Sequence, residues 1–93
     1  MIKTFKDEET QKVYGRQFSL KLPPAIQQVA LSKLRMINNA DNLGDLRIPP
    51  ANHLEKLTGK RAGQYSIRVN DQWRICFEWH DGNAEQVEII NYH

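Results

Sequence analysis

The sequence has few of the features on which disulfide-rich, metal-binding or membrane proteins depend. Cys76 is the single cysteine, so an internal disulfide is excluded, and no Cys/His cluster has zinc spacing. No stretch approaches the roughly 20 apolar residues that a membrane span needs. The first residues, MIKTFKDEETQK, lack the apolar core of a signal peptide. We therefore expect a cytoplasmic protein that uses neither a metal ion nor another cofactor and does not bind membranes.

The composition is that of a folded protein with an uneven charge distribution. The chain has 93 residues, of which 40% are hydrophobic and 26% charged, so we expect one domain over 1–93. The net charge is only +2, but residues 47–74 contain six Lys or Arg against two acids, which leaves the remainder at −2. Local positive charge of this kind favours a polyanionic partner.

The apolar pattern predicts an α+β fold. Residues 1–5 are predicted to form a short edge strand. Apolar residues at helical spacing then predict helices over 7–18 and 24–39. Asp7 is expected to cap the first helix, and Pro24 to lie in the first turn of the second. A possible short strand over 53–57 precedes three strand candidates at 64–69, 73–79 and 85–90. The order indicates a small antiparallel sheet packed against two N-terminal helices.

The register of the central hairpin, YSIRVNDQWRICF, follows from its apolar residues. A two-residue turn would pair Ile67 with Arg74, whereas a three-residue loop over 70–72 pairs Ile67 with Ile75 and Tyr65 with Phe77. The second register places Arg68 directly opposite Arg74 on the other face. Opposed like charges destabilise a strand pair by roughly 0.2–1 kcal/mol, but two guanidinium groups on a rigid sheet suit a phosphate.

The second hairpin extends this face to the end of the chain. A three-residue loop over 81–83 pairs Ile75 with Ile89 and sets Arg74 across from Ile90, which places Tyr92 on the arginine face. By the same alternation, Asn91 and His93 start on the opposite face, although the last residue can curl round.

Several of these residues also have a purely structural interpretation. The two arginines can splay into solvent, or pair with Glu88 or a helix carboxylate. Trp73, Phe77 and Trp79 are expected in the core, and Cys76 is expected to be a small buried hydrophobe. His80, beside a turn, is expected on the surface.

A specific resemblance to a known family extends over the whole chain. The stretches that carry it are GQYSIRVNDQWRICFEW, VEIINYH, IPPANHLEKLTGKRAG and MIKTF. The chain resembles the HigB-type toxins of bacterial toxin–antitoxin systems, within the RelE/ParE superfamily. The resemblance implies a RelE-like sheet and a metal-independent, ribosome-dependent endoribonuclease that cuts the mRNA codon in the ribosomal A site. It also implies neutralisation by a HigA-type helix-turn-helix antitoxin, through which alone the toxin meets operator DNA.

The resemblance also implies a set of site residues. Arg74, in the WRI strand, contacts the scissile phosphate, and Arg68 occupies a second basic position. The basic residues of the preceding loop face messenger or ribosomal RNA; they are Lys56, Lys60 and Arg61.

The remaining site positions depart from the family pattern. The family commonly ends in Asp-Tyr-His, where this chain has Asn91, Tyr92 and His93. Asn91 cannot act as a base, although it can orient a neighbour by hydrogen bonds. Some relatives have a catalytic histidine in the loop, whereas here the matching position holds Glu55 and His53 lies two residues before it.

The chemistry that these residues suggest is attack of a 2′-hydroxyl on its own phosphate. Arg74 and Arg68 would stabilise the developing charge, while Tyr92 and His93 would orient groups and move protons. Two alternatives remain from the sequence: a ParE-like toxin that inhibits gyrase without cutting RNA, and a decayed toxin that only binds its antitoxin and operator DNA. The basic pair and the Tyr-His ending favour the nuclease, while Asn91 keeps the decayed toxin open.

Overall fold

A computed structural model of the protein describes residues 1–92 and shows two α-helices and a four-stranded antiparallel sheet. The helices are α1 (Glu8–Tyr14) and α2 (Pro24–Asn39). The strands are β1 (Glu55–Lys56), β2 (Gln64–Arg68), β3 (Trp73–His80) and β4 (Asn83–Asn91), in the spatial order β1-β2-β3-β4. The predicted α+β class is therefore confirmed. Within residues 1–92, no helix is long and apolar enough to cross a membrane.

The second helix has the predicted bounds, whereas the first is shorter than expected. Asp7 caps α1 by accepting a 2.7 Å hydrogen bond from the Thr10 amide. The helix ends at the Gly15 cap, so Phe18 does not extend its apolar face and is 60% exposed. The prediction of a helix to residue 18 was wrong because the chain turns at Gly15 and Arg16, the latter with φ of 64°.

The core lies between the helices and one face of the sheet. Helix α2 contributes Ile26, Ala30, Leu34 and Ile37, and the strands contribute Ile67, Ile75, Phe77, Val87 and Ile89. Of the predicted aromatic core, Phe77 is fully buried while Trp73 and Trp79 are only partly buried against the cluster. Because side chains along a strand alternate between the two faces of the sheet, the other residues of these strands form the opposite face, which we call the polar face.

The free edge of β4 is covered by the N-terminal part of the chain. The predicted edge strand is reduced to two parallel bridges, between Ile2 and Ala84 and between Phe5 and Val87. Further along, the Ile89 amide donates a 2.9 Å hydrogen bond to the buried hydroxyl of Thr10 in α1. These contacts satisfy an edge that would otherwise be open to pairing with another chain.

The hairpin between β2 and β3 has the predicted register. Tyr65 pairs with Phe77, Ile67 with Ile75, and Arg68 with Arg74. The Asn70 side chain accepts hydrogen bonds of 2.8 Å from the amides of both Gln72 and Trp73, which closes the predicted three-residue loop. The two arginines are therefore directly opposed across the strands.

The hairpin between β3 and β4 has the predicted pairing at one end and a different turn at the other. Ile75 pairs with Ile89 and Arg74 with Ile90, as predicted. The turn, however, has two residues, because His80 pairs with Asn83. Asp81 and Gly82 both have positive φ, at 51° and 80°, as a type I′ Asp-Gly turn requires. The predicted three-residue loop was therefore wrong.

A β-bulge in β4 accommodates the difference between the two ends of this hairpin. The pairing shifts between Cys76 and Glu78, opposite a segment in which Gln86 has φ of 54°. One extra residue in β4 thus restores the register beyond the shorter turn. The bulge keeps the end of β4 beside the first residues of β3, where Arg74 lies.

Candidate active site

Arg74 is the centre of the polar face of the sheet. It is only 7% exposed, and its Nε donates a 2.8 Å hydrogen bond to the Ser66 hydroxyl on β2. Its Nη2 donates to the backbone carbonyl of His53. A buried guanidinium with fixed partners has lost most of its rotamer freedom, so Arg74 is held in one orientation. The alternative in which it splays into solvent is wrong.

The backbone segment before β1 covers Arg74. Residues Pro50–Asn52 make one turn of 3-10 helix, after which His53 adopts a left-handed conformation with φ of 43° and ψ of 59°. This turn aims the His53 carbonyl at Arg74, while the His53 side chain is exposed. The loop histidine singled out from the sequence therefore contacts the site through its backbone oxygen.

Two residues complete the surroundings of the Arg74 guanidinium. A carboxylate oxygen of Glu55 lies 3.8 Å from Nη1, and the Glu55 side chain is 51% exposed. The ring centroid of Tyr92 lies 5.7 Å from the Arg74 Cζ, within cation–π range. The Tyr92 amide donates a 2.6 Å hydrogen bond to the Gln72 carbonyl, which continues the sheet beyond the end of β4.

Arg61 reaches the same face from the loop between β1 and β2. Its Nη1 donates to a carboxylate oxygen of Glu88 at 2.8 Å and to the side chain of Gln64 at 3.1 Å. The hydrogen bond to Glu88 raises the pKa of Arg61 above its ordinary value. Arg61 and Tyr92, with Ile90 and Asn91, line an open cavity of about 330 Å³.

The other predicted basic residues are Arg68, Lys56 and Lys60. Arg68 forms an ion pair with Asp71 in the hairpin loop, rather than with Glu88 or a helix carboxylate. The partners of Glu88 are Arg61 and Lys6. Lys56 pairs with Tyr65, which places it on the core-facing side of the sheet, and Lys60 is exposed in the loop. His93 lies outside the described residues.

Sequence reasoning missed Ser66 as a part of this site, and it considered Glu88 as a partner of Arg68 or Arg74 rather than of Arg61. Ser66 is fully buried and pairs with Cys76, so it lies on the same face as Arg68 and Arg74. Strand alternation alone could have assigned Ser66 to that face. Its hydrogen bond to Arg74 could not be predicted, because a diagonal contact depends on the rotamers and on the loop that covers the sheet.

A larger cavity lies on the helical side of the molecule. It has a volume of about 470 Å³ and is lined by residues of α1, α2 and their connection, which include Arg16, Phe18, Leu31 and Arg35. None of the site residues lines this cavity. Within residues 1–92, no group of three or more His, Cys, Asp and Glu side chains could hold a metal ion.

Cys76 is expected to be chemically inert although it lies beside the arginines. It is 1% exposed, and burial raises the pKa of its thiol to about 11. A thiol reacts as its thiolate, so labelling of the native protein at pH 8 should be far slower than labelling of the urea-unfolded chain. Rapid labelling of the folded protein, with loss of its activity, would contradict this assignment.

Comparison with known proteins places the chain in a family. A model of the RelE-like toxin of the type II toxin–antitoxin system HigB matches residues 3–93. Toxin HigB-1 of Vibrio cholerae is 41% identical over 81 residues, which cover 86% of this chain and 85% of that protein. The endoribonuclease HigB of Proteus vulgaris is 29% identical over the full length of both proteins.

The fold has a solved counterpart as well. A chain from the YoeB–YefM complex of Staphylococcus aureus superposes with a TM-score of 0.60 at 17% identity, covering 100% of this chain and 98% of that one. At this identity the likeness concerns the fold alone, and it agrees with the helices and antiparallel sheet described above. The chain belongs to the HigB family of RelE-like toxins of type II toxin–antitoxin systems.

Proposed function

We propose that this toxin is an endoribonuclease that acts in the cytoplasm, enters the ribosomal A site, cleaves the mRNA there and so inhibits translation. The observation that carries the proposal is the fixed Arg74 guanidinium, beside Tyr92 and an open cavity. The name of the Proteus vulgaris relative, endoribonuclease HigB, supports the same chemistry.

The contacts of Arg74 suggest where a phosphate would bind. The short hydrogen bonds to Ser66 and His53 hold the guanidinium, whereas the contact from Nη1 to Glu55 is long, at 3.8 Å. Because Glu55 is half exposed, a phosphate oxygen can replace it at Nη1 with little rearrangement. Arg74 would then stabilise charge that develops on the phosphate, and no metal ion is required for that step.

The proposed reaction is an internal transesterification at one phosphodiester bond of the RNA. The 2′-hydroxyl loses a proton, its oxygen attacks the neighbouring phosphorus, and the bond from phosphorus to the 5′-oxygen of the next nucleotide breaks. The products are a 2′,3′-cyclic phosphate and a 5′-hydroxyl that takes up a proton. Glu55 and His93 are the proposed proton-transfer groups, since carboxylates and imidazoles are common general acids and bases in enzymes.

Tyr92 is proposed to orient the substrate, mainly through its ring. Tyr92 is 42% exposed and its ring lies beside the Arg74 guanidinium, which leaves ring surface available to stack on a base. Tyr92→Ala should lower cleavage by roughly ten- to a hundredfold, because base stacking contributes about 1–3 kcal/mol. Tyr92→Phe should retain most of the activity in the same assay of mRNA cleavage on ribosomes.

The comparison of the two Tyr92 variants separates the ring from the hydroxyl. If Tyr92→Phe lost as much activity as Tyr92→Ala, the hydroxyl would take part in proton transfer and the orienting role would be wrong. Tyr14→Phe, which removes a phenol hydroxyl from α1 on the helical side, is the matched control.

The partner of this toxin is an antitoxin, and we propose one of the HigA type with a helix-turn-helix domain. The cavity of about 470 Å³ on the helical side supports binding of a protein away from the catalytic face. There Phe18 is 60% exposed, and Arg16 and Arg35 lie beside it. Operator DNA would be reached only through the antitoxin, so the isolated toxin should not retain operator DNA at physiological salt.

Primer-extension mapping of mRNA from expressing cells tests the proposed function against its alternatives. In-frame cuts at codons, lost when translation is blocked before initiation, are the expected result. Supercoiling defects without mRNA cuts would instead indicate a ParE-like gyrase inhibitor. Neither effect, with normal growth, would indicate a decayed toxin, in which Asn91 replaces a required carboxylate.

A further inference from the structure

Lys33 is a basic residue of helix α2 that neither the strand pattern nor the family resemblance assigns to the site. Its ammonium group donates a 2.6 Å hydrogen bond to the side-chain oxygen of Asn52. Asn52 is completely buried, and its amide nitrogen donates in turn to the Leu46 carbonyl at 3.2 Å. Lys33 is thus held at a defined place by a fixed partner, unlike an ordinary surface lysine.

The position of Asn52 connects Lys33 with the candidate active site. Asn52 and His53 are consecutive, and the carbonyl of His53 accepts the hydrogen bond from Arg74. Neighbouring Cα atoms are about 3.8 Å apart, so one short segment anchors a cation on each of its sides. Helix α2 and strand β3 therefore each present a positive charge to the same region of the loop.

Arg68 is a third positive charge in this region. It is directly opposite Arg74 on the neighbouring strand. It is also close enough to Lys33 for its positive charge to add to the effect of burial, and both lower the pKa of Lys33. Within residues 1–92, Arg68 has an ion pair with Asp71, whereas no carboxylate lies within ion-pair distance of Lys33.

Three positive charges in one region attract an anion, and within residues 1–92 Lys33 is the one of the three with no carboxylate in ion-pair distance. We propose that Lys33 and Arg68 bind the phosphate next to the scissile one, so that two consecutive phosphates of the substrate strand are held across the Asn52–His53 segment. The inference rests on the proposed nuclease function and extends its binding surface from the sheet onto helix α2. Lys33 is a binding residue for the RNA backbone, with no part in proton transfer.

The test measures the binding of a fluorescent single-stranded RNA at several KCl concentrations. The RNA contains 2′-O-methyl sugars, which remove the attacking hydroxyl and prevent cleavage. Each phosphate contact on a single strand contributes about 0.7 to the slope of log K against log salt concentration. Lys33→Met should therefore reduce the slope by about 0.7 and weaken binding of all sequences alike. Lys33→Arg, which retains the charge, should keep the wild-type slope.

Two further variants distinguish a phosphate contact from a structural role. Lys33→Gln removes the charge but can still hydrogen-bond to Asn52, and it should show the same reduced slope as Lys33→Met. Lys21→Met, at an exposed position between the helices, is the matched control and should leave the slope unchanged. If Lys33→Met and Lys33→Gln both bound RNA more weakly but with the wild-type slope, Lys33 would only support the loop. That result would overturn the proposal.

Ribosomes provide the second arm of the test, because ribosomal RNA is another source of phosphate. An effect of Lys33→Met on ribosome binding, with none on the isolated RNA, would overturn the assignment to the substrate strand. Failure of the inference is separate from failure of the proposed function. In the first case the wild-type toxin still cuts mRNA at codons, whereas in the second it does not.

Discussion

Replacing Arg74 with glutamine is expected to reduce mRNA cleavage on ribosomes by about 10²–10³-fold, the usual result of removing one preorganised donor from a developing oxyanion. Glutamine has nearly the reach of the arginine stem and keeps an amide that can hydrogen-bond to Ser66. It lacks the positive charge and the second nitrogen that contacts His53. Cleavage is measured by primer extension at a defined codon on programmed ribosomes.

Arg74→Lys refines this expectation. Lysine retains the charge, but its single nitrogen cannot contact Ser66, His53 and a phosphate in the planar arrangement of a guanidinium. Its activity should lie between those of the wild type and Arg74→Gln. If Arg74→Lys were as inactive as Arg74→Gln, orientation would matter more than charge.

The matched control is Arg35→Gln, which makes the same change on the exposed side of α2. Urea denaturation of each variant shows whether the fold is retained. Loss of a buried hydrogen-bonded group costs about 1–3 kcal/mol, against a typical total stability of 5–15 kcal/mol. Wild-type cleavage by a folded Arg74→Gln protein would remove Arg74 from the mechanism.

The part of this site that could be predicted from the sequence is the part that one hairpin determines. Only one register of YSIRVNDQWRICF pairs its apolar residues with one another, as in the pair of Ile67 and Ile75. That register places Arg68 directly opposite Arg74. The side of the sheet on which each residue lies follows directly. A local pattern was sufficient because both strands and their loop are contiguous in the chain.

The surroundings of Arg74 could not be predicted in the same way. Its burial depends on the segment before β1, where the left-handed His53 turns its carbonyl toward the sheet. No periodicity marks that segment, and its position is decided by packing against residues far away in sequence. The contact between Lys33 and Asn52 spans 19 positions, and helical periodicity simply places Lys33 outside the core.

The turn between β3 and β4 shows a different limit. Asp81-Gly82 is a strong signal for a two-residue turn, but the pairing of Ile75 with Ile89 requires one more residue. The structure satisfies both through the bulge at Gln86, whose position the apolar pattern does not reveal. The pairing of Ile75 with Ile89 was predicted correctly, whereas the turn was predicted one residue too long because the bulge that reconciles the two ends could not be foreseen.

Phe77→Ala is expected to lower the free energy of unfolding by about 3–5 kcal/mol, the typical cost of emptying a large buried aromatic site. Phe77 is 0% exposed, and its ring lies 6.3 Å from those of both Tyr65 and Trp79. It belongs to β3, the strand that also contains Arg74, but it faces the core. Urea denaturation should show a lower midpoint with an unchanged slope.

Val29→Ala is the control for this change, because Val29 is apolar but 44% exposed on α2, and its truncation should cost much less. If Phe77→Ala does not fold, Phe77→Leu leaves a smaller void and should show a smaller loss of stability. A loss below 1 kcal/mol in Phe77→Ala would mean that the core closes around the missing ring.

The activity of the Phe77 variants provides the reciprocal test to Arg74→Gln. Since Phe77 and Arg74 lie on opposite faces of β3, cleavage per folded molecule should remain near the wild-type value in Phe77→Leu. Arg74→Gln should show the reverse, with a folded protein whose cleavage is strongly reduced. If cleavage by Phe77→Leu fell by more than its loss of folded protein explains, the position of Arg74 would depend on the packing beneath the sheet as well as on Ser66 and His53.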